Sequence, residues 1–260
     1  MILYNKVHNN LIRMFLTLSI LCLGGCSHVT DKALSPPSNT KWVHIEIKNP
    51  SPWTKPFPLG VRYISYKCMK KRISGFDGSV ITEPSYNVIQ VPLQQEKDDL
   101  WKGKVAMIGG GVCQWALSAV ELGIEYIEAT HLRKDLAPGT AVGATIAFDS
   151  DASRNGQFTL MEGDMHLSPK YYPFIIERKI GRVENTLSLF GKDDFLSLKA
   201  SNLSKVVYSP VLDESKVTKF IGIEKKLKGV YPQIIHPDGS IAPERTLFPD
   251  FDKVDKMKLN

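Results

Sequence analysis

The sequence predicts a mainly β fold over residues 42–260, either a sandwich-like single domain or two small β domains. Three observations lead there. Short runs of alternating apolar and polar residues recur along the chain; Gly, Pro, Asn and Asp collect between them; and only residues 115–123 offer an apolar spacing that a helix could use. Alternation buries one face of a pleated strand, and those four residue types supply the turns.

The first strand is expected at Trp42–Lys48, where Val43, Ile45 and Ile47 alternate with His44, Glu46 and Lys48. The proline-rich stretch 50–60 reads as a connection, since proline is excluded from helix interiors and central strands. Residues 61–68 and 86–93 read as a strand pair around the turn Phe76-Asp77-Gly78-Ser79. Residues 115–123 leave helix and strand both open, because their apolar spacing fits either period. Residues 140–149 and 157–167 flank an Asn155-Gly156 turn and read as a hairpin, and 171–180, 183–190 and 194–200 add three strands.

The N-terminus carries a different kind of signal. Residues 1–25 hold Lys6, Arg13 and no acid, with an apolar run from Met14 to Leu23 that is too short to span a bilayer. Leu23-Gly24-Gly25-Cys26 follows and resembles the lipobox of bacterial lipoproteins, in which the cysteine is acylated and becomes the mature N-terminus. Cys22 does not fit, because Ile20 and Leu21 before it are too large. The resemblance implies a signal peptide at 1–25, a lipidated Cys26 and a body anchored in the cell envelope facing the periplasm. Ser27, in place of Asp, implies forwarding to the outer membrane. Several acyl chains hold firmly, since each buried CH₂ contributes ~0.8 kcal/mol. Residues 26–41 then form the lipidated cysteine and a flexible linker; Ser27–Lys41 is polar, contains Pro36-Pro37 and reaches at most ~50 Å.

Without residues 1–25 the chain has 235 residues, with 31 Lys and Arg against 27 Asp and Glu, a net +4. The small basic clusters at Lys67, Lys70, Lys71 and Arg72 and at Lys225, Lys226 and Lys228 read as solvated edges and turns, with a weak attraction to lipid headgroups as the alternative. No nucleic-acid partner is expected, because base-stacking aromatics do not accompany them. Cys68 and Cys113 are the two cysteines left after Cys22 and Cys26, and in an oxidising compartment they are expected to form a disulfide. The C-x-x-C spacing of a redox pair is absent.

Chemistry-bearing motifs fail on inspection. Residues 104–130 imitate a dinucleotide fingerprint, with Gly109 and Gly111 in the first two glycine places, but Gln114 stands in the third and Trp115 beside it. That third position must bring helix close to strand, and Gln cannot. A nucleophile elbow on Cys113 fails because Trp115 takes the place of its last glycine. Asp149, Asp151, Ser153 and Asn155 alternate like calcium ligands, but Arg154 holds the turn-glycine position and Leu160 the closing-acid position. His28, His44, His131, His166 and His236 lie at no metal-ligand spacing. No catalytic residue, cofactor site or metal site is expected. The aromatics of 50–57 and 168–174 sit in apparent loops and are candidates for a partner surface or for lids on the core.

The lipobox, Cys113-Gln114-Trp115, the run Ile146–Asp149 and Leu167–Pro173 together resemble a group of enterobacterial envelope lipoproteins, some similar to immunity proteins that accompany type VI secretion phospholipase effectors. The resemblance implies a membrane-anchored, periplasm-facing β protein that binds and blocks a protein toxin without catalysis, and it assigns no contact residues. The competing classes are a structural or assembly lipoprotein of the envelope and an enzyme; missing catalytic motifs weigh against the last.

Overall fold

A computed structural model describes residues 30–153 and 157–258. The expected signal peptide, Cys26 and the Asn155-Gly156 turn lie outside the described residues. The compact body runs from Lys32, ten residues earlier than the sequence suggests.

The body is mainly β. Its strands are β1 (Trp42–Lys48), β2 (Thr54–Pro56), β3 (Leu59–Ile73), β4 (Val80–Val91), β5 (Gln94–Gln95), β6 (Leu100–Ala106), β7 (Ile108–Gly110), β8 (Trp115–Tyr126), β9 (Ala137–Pro138) and β10 (Val142–Ala147). They continue with β11 (Thr159–Glu162), β12 (Met165–Leu167), β13 (Lys170–Arg178), β14 (Glu184–Gly191), β15 (Phe195–Ser201), β16 (Lys205–Tyr208), β17 (Val211–Leu212), β18 (Thr218–Ile221) and β19 (Gln233–Ile235). One short helix, Phe251–Lys256, is capped by Asp250, whose side chain accepts from the Lys253 amide.

Three open sheets share these strands. Their orders are β12-β16-β1-β6-β5, β11-β15-β10-β8-β3-β4 with β2 and β7 on β8, and β19-β18-β13-β14-β9 with β17 on β13. One apolar core draws on all three: Ile45 and Ile47 from β1, Leu59 and Val61 from β3, Leu122 and Ile124 from β8, Tyr171 from β13 and Leu187 from β14 are each essentially inaccessible. This joins the sheets around one interior, in place of two separate small domains. A second, smaller core on the other side of β13 and β14 gathers Tyr172, Phe174, Phe190 and Ile234 beneath Val254 of the helix.

The expected strands β1, β13, β14 and β15 form at the positions read from sequence. The ambiguous 115–123 is strand, the start of β8, with β3 on one side and β10 on the other. Both its faces are largely buried, so its run of apolar residues lacks the alternation of a one-faced strand. Two expectations are corrected. The 50–60 connection contains β2, which pairs with the end of β8 after β3 has left it. The 140–149 and 157–167 segments are not a hairpin: β15 lies between β10 and β11 and runs parallel to both.

The linker read at 26–41 is not free at its C-terminal end. Leu34 packs on the core, the Ser35 amide donates to the Gly109 carbonyl at 2.8 Å, and buried Thr40 bonds the Ile108 amide at 3.1 Å. The Asn87 amide group holds the Lys32 carbonyl at 2.9 Å.

Candidate functional site

The glycine-rich turn that imitates a nucleotide motif is occupied by the protein's own chain. Gly110 and Gly111 have φ of 62° and 72°, and a Cβ on either would meet the carbonyl oxygens of Ser35 and Ala33 at 2.2 and 2.3 Å. The bare backbone therefore serves the close approach of residues 33–35. Cys113 closes the turn with the expected bridge to Cys68, S–S 2.01 Å, and Trp115 is fully buried next to it. The Ser65 hydroxyl donates to the Cys113 carbonyl at 2.5 Å and accepts from the Cys68 amide at 2.9 Å, tying both ends of the bridge to β3.

A cluster that sequence reading missed joins Ser51, Trp53, Tyr126, His131 and Glu214. Glu214 sits at its centre: one carboxylate oxygen meets His131 Nε2 at 3.1 Å and the Tyr126 hydroxyl at 3.2 Å, and the other accepts from Ser51 at 3.1 Å. Trp53 stacks on the His131 ring, centroids 4.6 Å apart and planes within 5°. Burial, then the Glu214 charge, pushes the Tyr126 phenol well above its ordinary range. Serine, histidine and a carboxylate are all present, but in the wrong order for nucleophilic catalysis. The acid stands between Ser51 and His131, so the histidine is not the base beside the hydroxyl that a triad requires. The cluster clamps three distant chain segments, with partners separated by 83 to 163 residues, which is why no local pattern announced it.

The remaining candidates disperse. Asp149 accepts from the amide of Ala152 in its own turn, and Asp151 accepts from the Tyr66 hydroxyl at 2.8 Å; Ser153 is buried, and Asn155 lies outside the described residues. His44 and His166 lie on exposed strand positions, while burial, aided by the Lys253 charge, lowers the pKa of His236. His28 lies outside the described residues. No group of three metal-ligating side chains occurs among the described residues. The aromatics of 168–174 are a correction: Tyr171, Tyr172 and Phe174 are buried in β13. In the other loop Trp53 is partly exposed.

Two surfaces stand out instead. The first is the outward face of β1, β6 and β16. Register places His44 between Lys104 of β6 and Lys205 of β16, and Glu46 opposite Lys102. A groove of about 710 Å³ opens over this face, and Trp42, Val91 and Pro92 are among the residues that line it. Glu46 takes Lys205 at 3.0 Å and Lys102 at 3.8 Å, and Lys102 also meets Glu96 at 2.7 Å, which raises its pKa. Lys104 lies 4.8 Å from the centre of the Trp42 ring and has no ion pair among the described residues.

The second surface is an arm. β8 stops pairing with β3 at Ile64, the β3–β4 register shifts between Ser65 and Met69, and beyond this β3 and β4 continue as a two-stranded ribbon to the turn at 74–79. Opposed residues share a face. Met69 with Pro84, Lys71 with Thr82 and Ile73 with Val80 form one side, and Lys70 with Glu83 and Arg72 with Ile81 form the other. The second side is ion-paired, Glu83 taking Lys70 at 3.1 Å and Arg72 at 2.9 Å. The first exposes Ile73 at 73% and Val80 at 67%, and Phe76 stands 99% exposed in the turn at the tip.

Comparison with known protein families, characterised proteins and solved structures finds no match to this chain. The functional reading therefore rests on these surfaces and on the sequence signals.

Proposed function

We propose that this is a membrane-anchored envelope protein, acylated at Cys26, that acts by binding a protein partner without catalysis. The observation that carries the reading is the groove over β1, β6 and β16. Tryptophan is among the residues that dominate binding energy at interfaces, and Trp42 stands here half-exposed beside Lys104, over a cavity large enough for a partner's side chains or a short segment. The lysines around it steer an acidic surface toward the groove. Where chemistry would be sought, Ser51 donates to Glu214, and among the described residues no hydrogen bond joins it to His131.

The specific form of the proposal, drawn from the lipoprotein resemblance, is an immunity protein that occludes the entrance of a phospholipase toxin. A standard interface of about 1,600 Å² would extend well beyond the groove. The test is capture from envelope extracts, together with survival against the product of any neighbouring toxin gene. Trp42→Ala combined with Lys104→Glu should abolish capture and protection, while His131→Ala leaves both intact. Turnover by the purified protein that His131→Ala or Ser51→Ala abolishes would replace this reading with an enzymatic one. The anchor is tested separately: Cys26→Ala should release the protein from membranes or leave the unprocessed precursor, and normal acyl labelling of that variant would refute lipidation.

A further inference from the structure

We infer that the β3–β4 arm is a second membrane contact, which lays its Met69, Ile73 and Val80 face and the Phe76 tip on an anionic lipid surface. Contiguous exposed apolar residues mark a surface that is covered in use, and three features favour lipid as the cover. The first is residue type: the opposed pairs Met69–Pro84, Lys71–Thr82 and Ile73–Val80 contain no Trp, Tyr or Arg, and Phe76 is fully exposed at the tip beyond them. Protein hot spots are enriched in those three and poor in Val. Apolar side chains interspersed with lysine suit the boundary between headgroups and acyl chains.

The second feature is charge. Residues 66–85 hold Lys67, Lys70, Lys71 and Arg72 against Asp77 and Glu83. Glu83 is taken by Lys70 and Arg72 on the opposite side, and Asp77 folds back to accept from the Ser79 amide and hydroxyl. Lys71 lies within the apolar face, and neither it nor Lys67 has an ion pair among the described residues. Each lysine near an anionic leaflet is attracted to it.

The third is reach, and here the inference rests on the Cys26 anchor. Five residues lie between Cys26 and Lys32, six Cα–Cα steps and at most about 20 Å of chain. Lys32 is bonded to Asn87 at the root of the arm, and the seven residues from Asn87 to Val80 extend about 23 Å. The acyl group and the arm's tip can thus meet one bilayer plane. The anchor supplies affinity, and the arm fixes the orientation of the body.

The test uses the full lipidated chain in vesicles of phosphatidylethanolamine and phosphatidylglycerol. An environment-sensitive fluorophore is placed at Phe76→Cys and, as a control, at exposed Val183→Cys. Emission at 76 should shift to the blue and be quenched by lipids carrying a quencher in the acyl chain, while emission at 183 changes in neither respect. Replacing phosphatidylglycerol with phosphatidylcholine, or introducing Lys67→Glu with Lys71→Glu, should reduce the quenching. With the fluorophore at 80 through Val80→Cys, Phe76→Ser should weaken arm insertion about tenfold or more, as expected when one aromatic loses its burial. If the protein stays on vesicles but position 76 is unquenched, the arm inference fails and the anchor stands. A protein that does not associate with vesicles at all overturns both. A shift that ignores quencher lipid and fades as the protein is diluted within the vesicles would assign the face to a second copy. Loss of partner capture on Phe76→Ser, with no lipid quenching, would assign it to the protein partner. Either of these results overturns the membrane contact.

Discussion

The two halves of β3 teach opposite lessons from the same pattern. Leu59 to Ser65 lies between β4 and β8, and Leu59, Val61, Tyr63, Ile64 and Ser65 are all buried. From Tyr66 onward the strand continues for eight residues with β4 alone, and nearly every side chain is exposed. Both halves pair with β4, yet one half belongs to the core and the other projects. What differs is the third strand, β8, whose pairing with β3 stops where Ala116 faces Ile64. A two-stranded ribbon is marginal by itself in water, so the arm depends on what fastens its root: the Cys68–Cys113 bridge, the Tyr66–Asp151 bond and the Glu83 ion pairs.

The strongest way to break this contrast is to remove the bridge. A closed loop of about 46 residues implies that losing the disulfide costs about 4 kcal/mol. Cys68→Ala with Cys113→Ala should lower the urea midpoint accordingly, and amide exchange should accelerate first at 66–85. A free-thiol assay on the denatured, unreduced native protein should find neither Cys68 nor Cys113 reactive. Next comes the buried half of β3. Leu59→Ala should cost about 3 kcal/mol in the same urea titration, through lost burial and the cavity left behind.

A smaller effect should follow pH. Arg72, and then Lys70, hold the Glu83 carboxyl below its usual range. A depressed folded-state pKa contributes stability that is present above the ordinary glutamate value and is lost as pH falls through the depressed one. Amide exchange measured across that acidic range should show the arm losing protection before the body does, and Glu83→Gln should remove this pH dependence. The smallest effect is expected at the exposed end. Phe76→Ala and Ile73→Ala should leave the urea midpoint unchanged within about 0.5 kcal/mol. A loss near that of Leu59→Ala would mean that the arm folds back onto the body.

These differences mark what was legible in the sequence. Short apolar runs between turn residues are local, so β1, β13, β14 and β15 could be placed from them, and setting aside Cys22 and Cys26 on the lipobox reading left Cys68 and Cys113 as the pair. Strand neighbours are long-range, so nothing in residues 61–73 told where β8 would stop, and nothing in 140–167 told that β15 would enter between β10 and β11. Tyr171 and Phe174 fell both in the expected strand 171–180 and, because of the prolines around them, in an expected aromatic loop; the strand reading holds, and Pro173 is accommodated within β13. The Ser51–Glu214–His131 clamp and the Trp42 groove arise from register and chain crossing. Trp42 could have been suspected from its place on the polar side of β1, where a tryptophan is out of pattern.

The docking of residues 33–40 on the glycine turn changes the mechanics of any tether at Cys26. A leash that runs free to Lys41 lets the body roam a region about 50 Å in radius, whereas one that ends at Lys32 allows about 20 Å. Swept volume scales with the cube of that radius, so the seam formed by Ala33, Ser35, Gly110 and Gly111 shrinks it roughly fifteenfold. Gly110→Ala or Gly111→Ala, which would push that seam open, is thus a way to lengthen the leash without adding a residue.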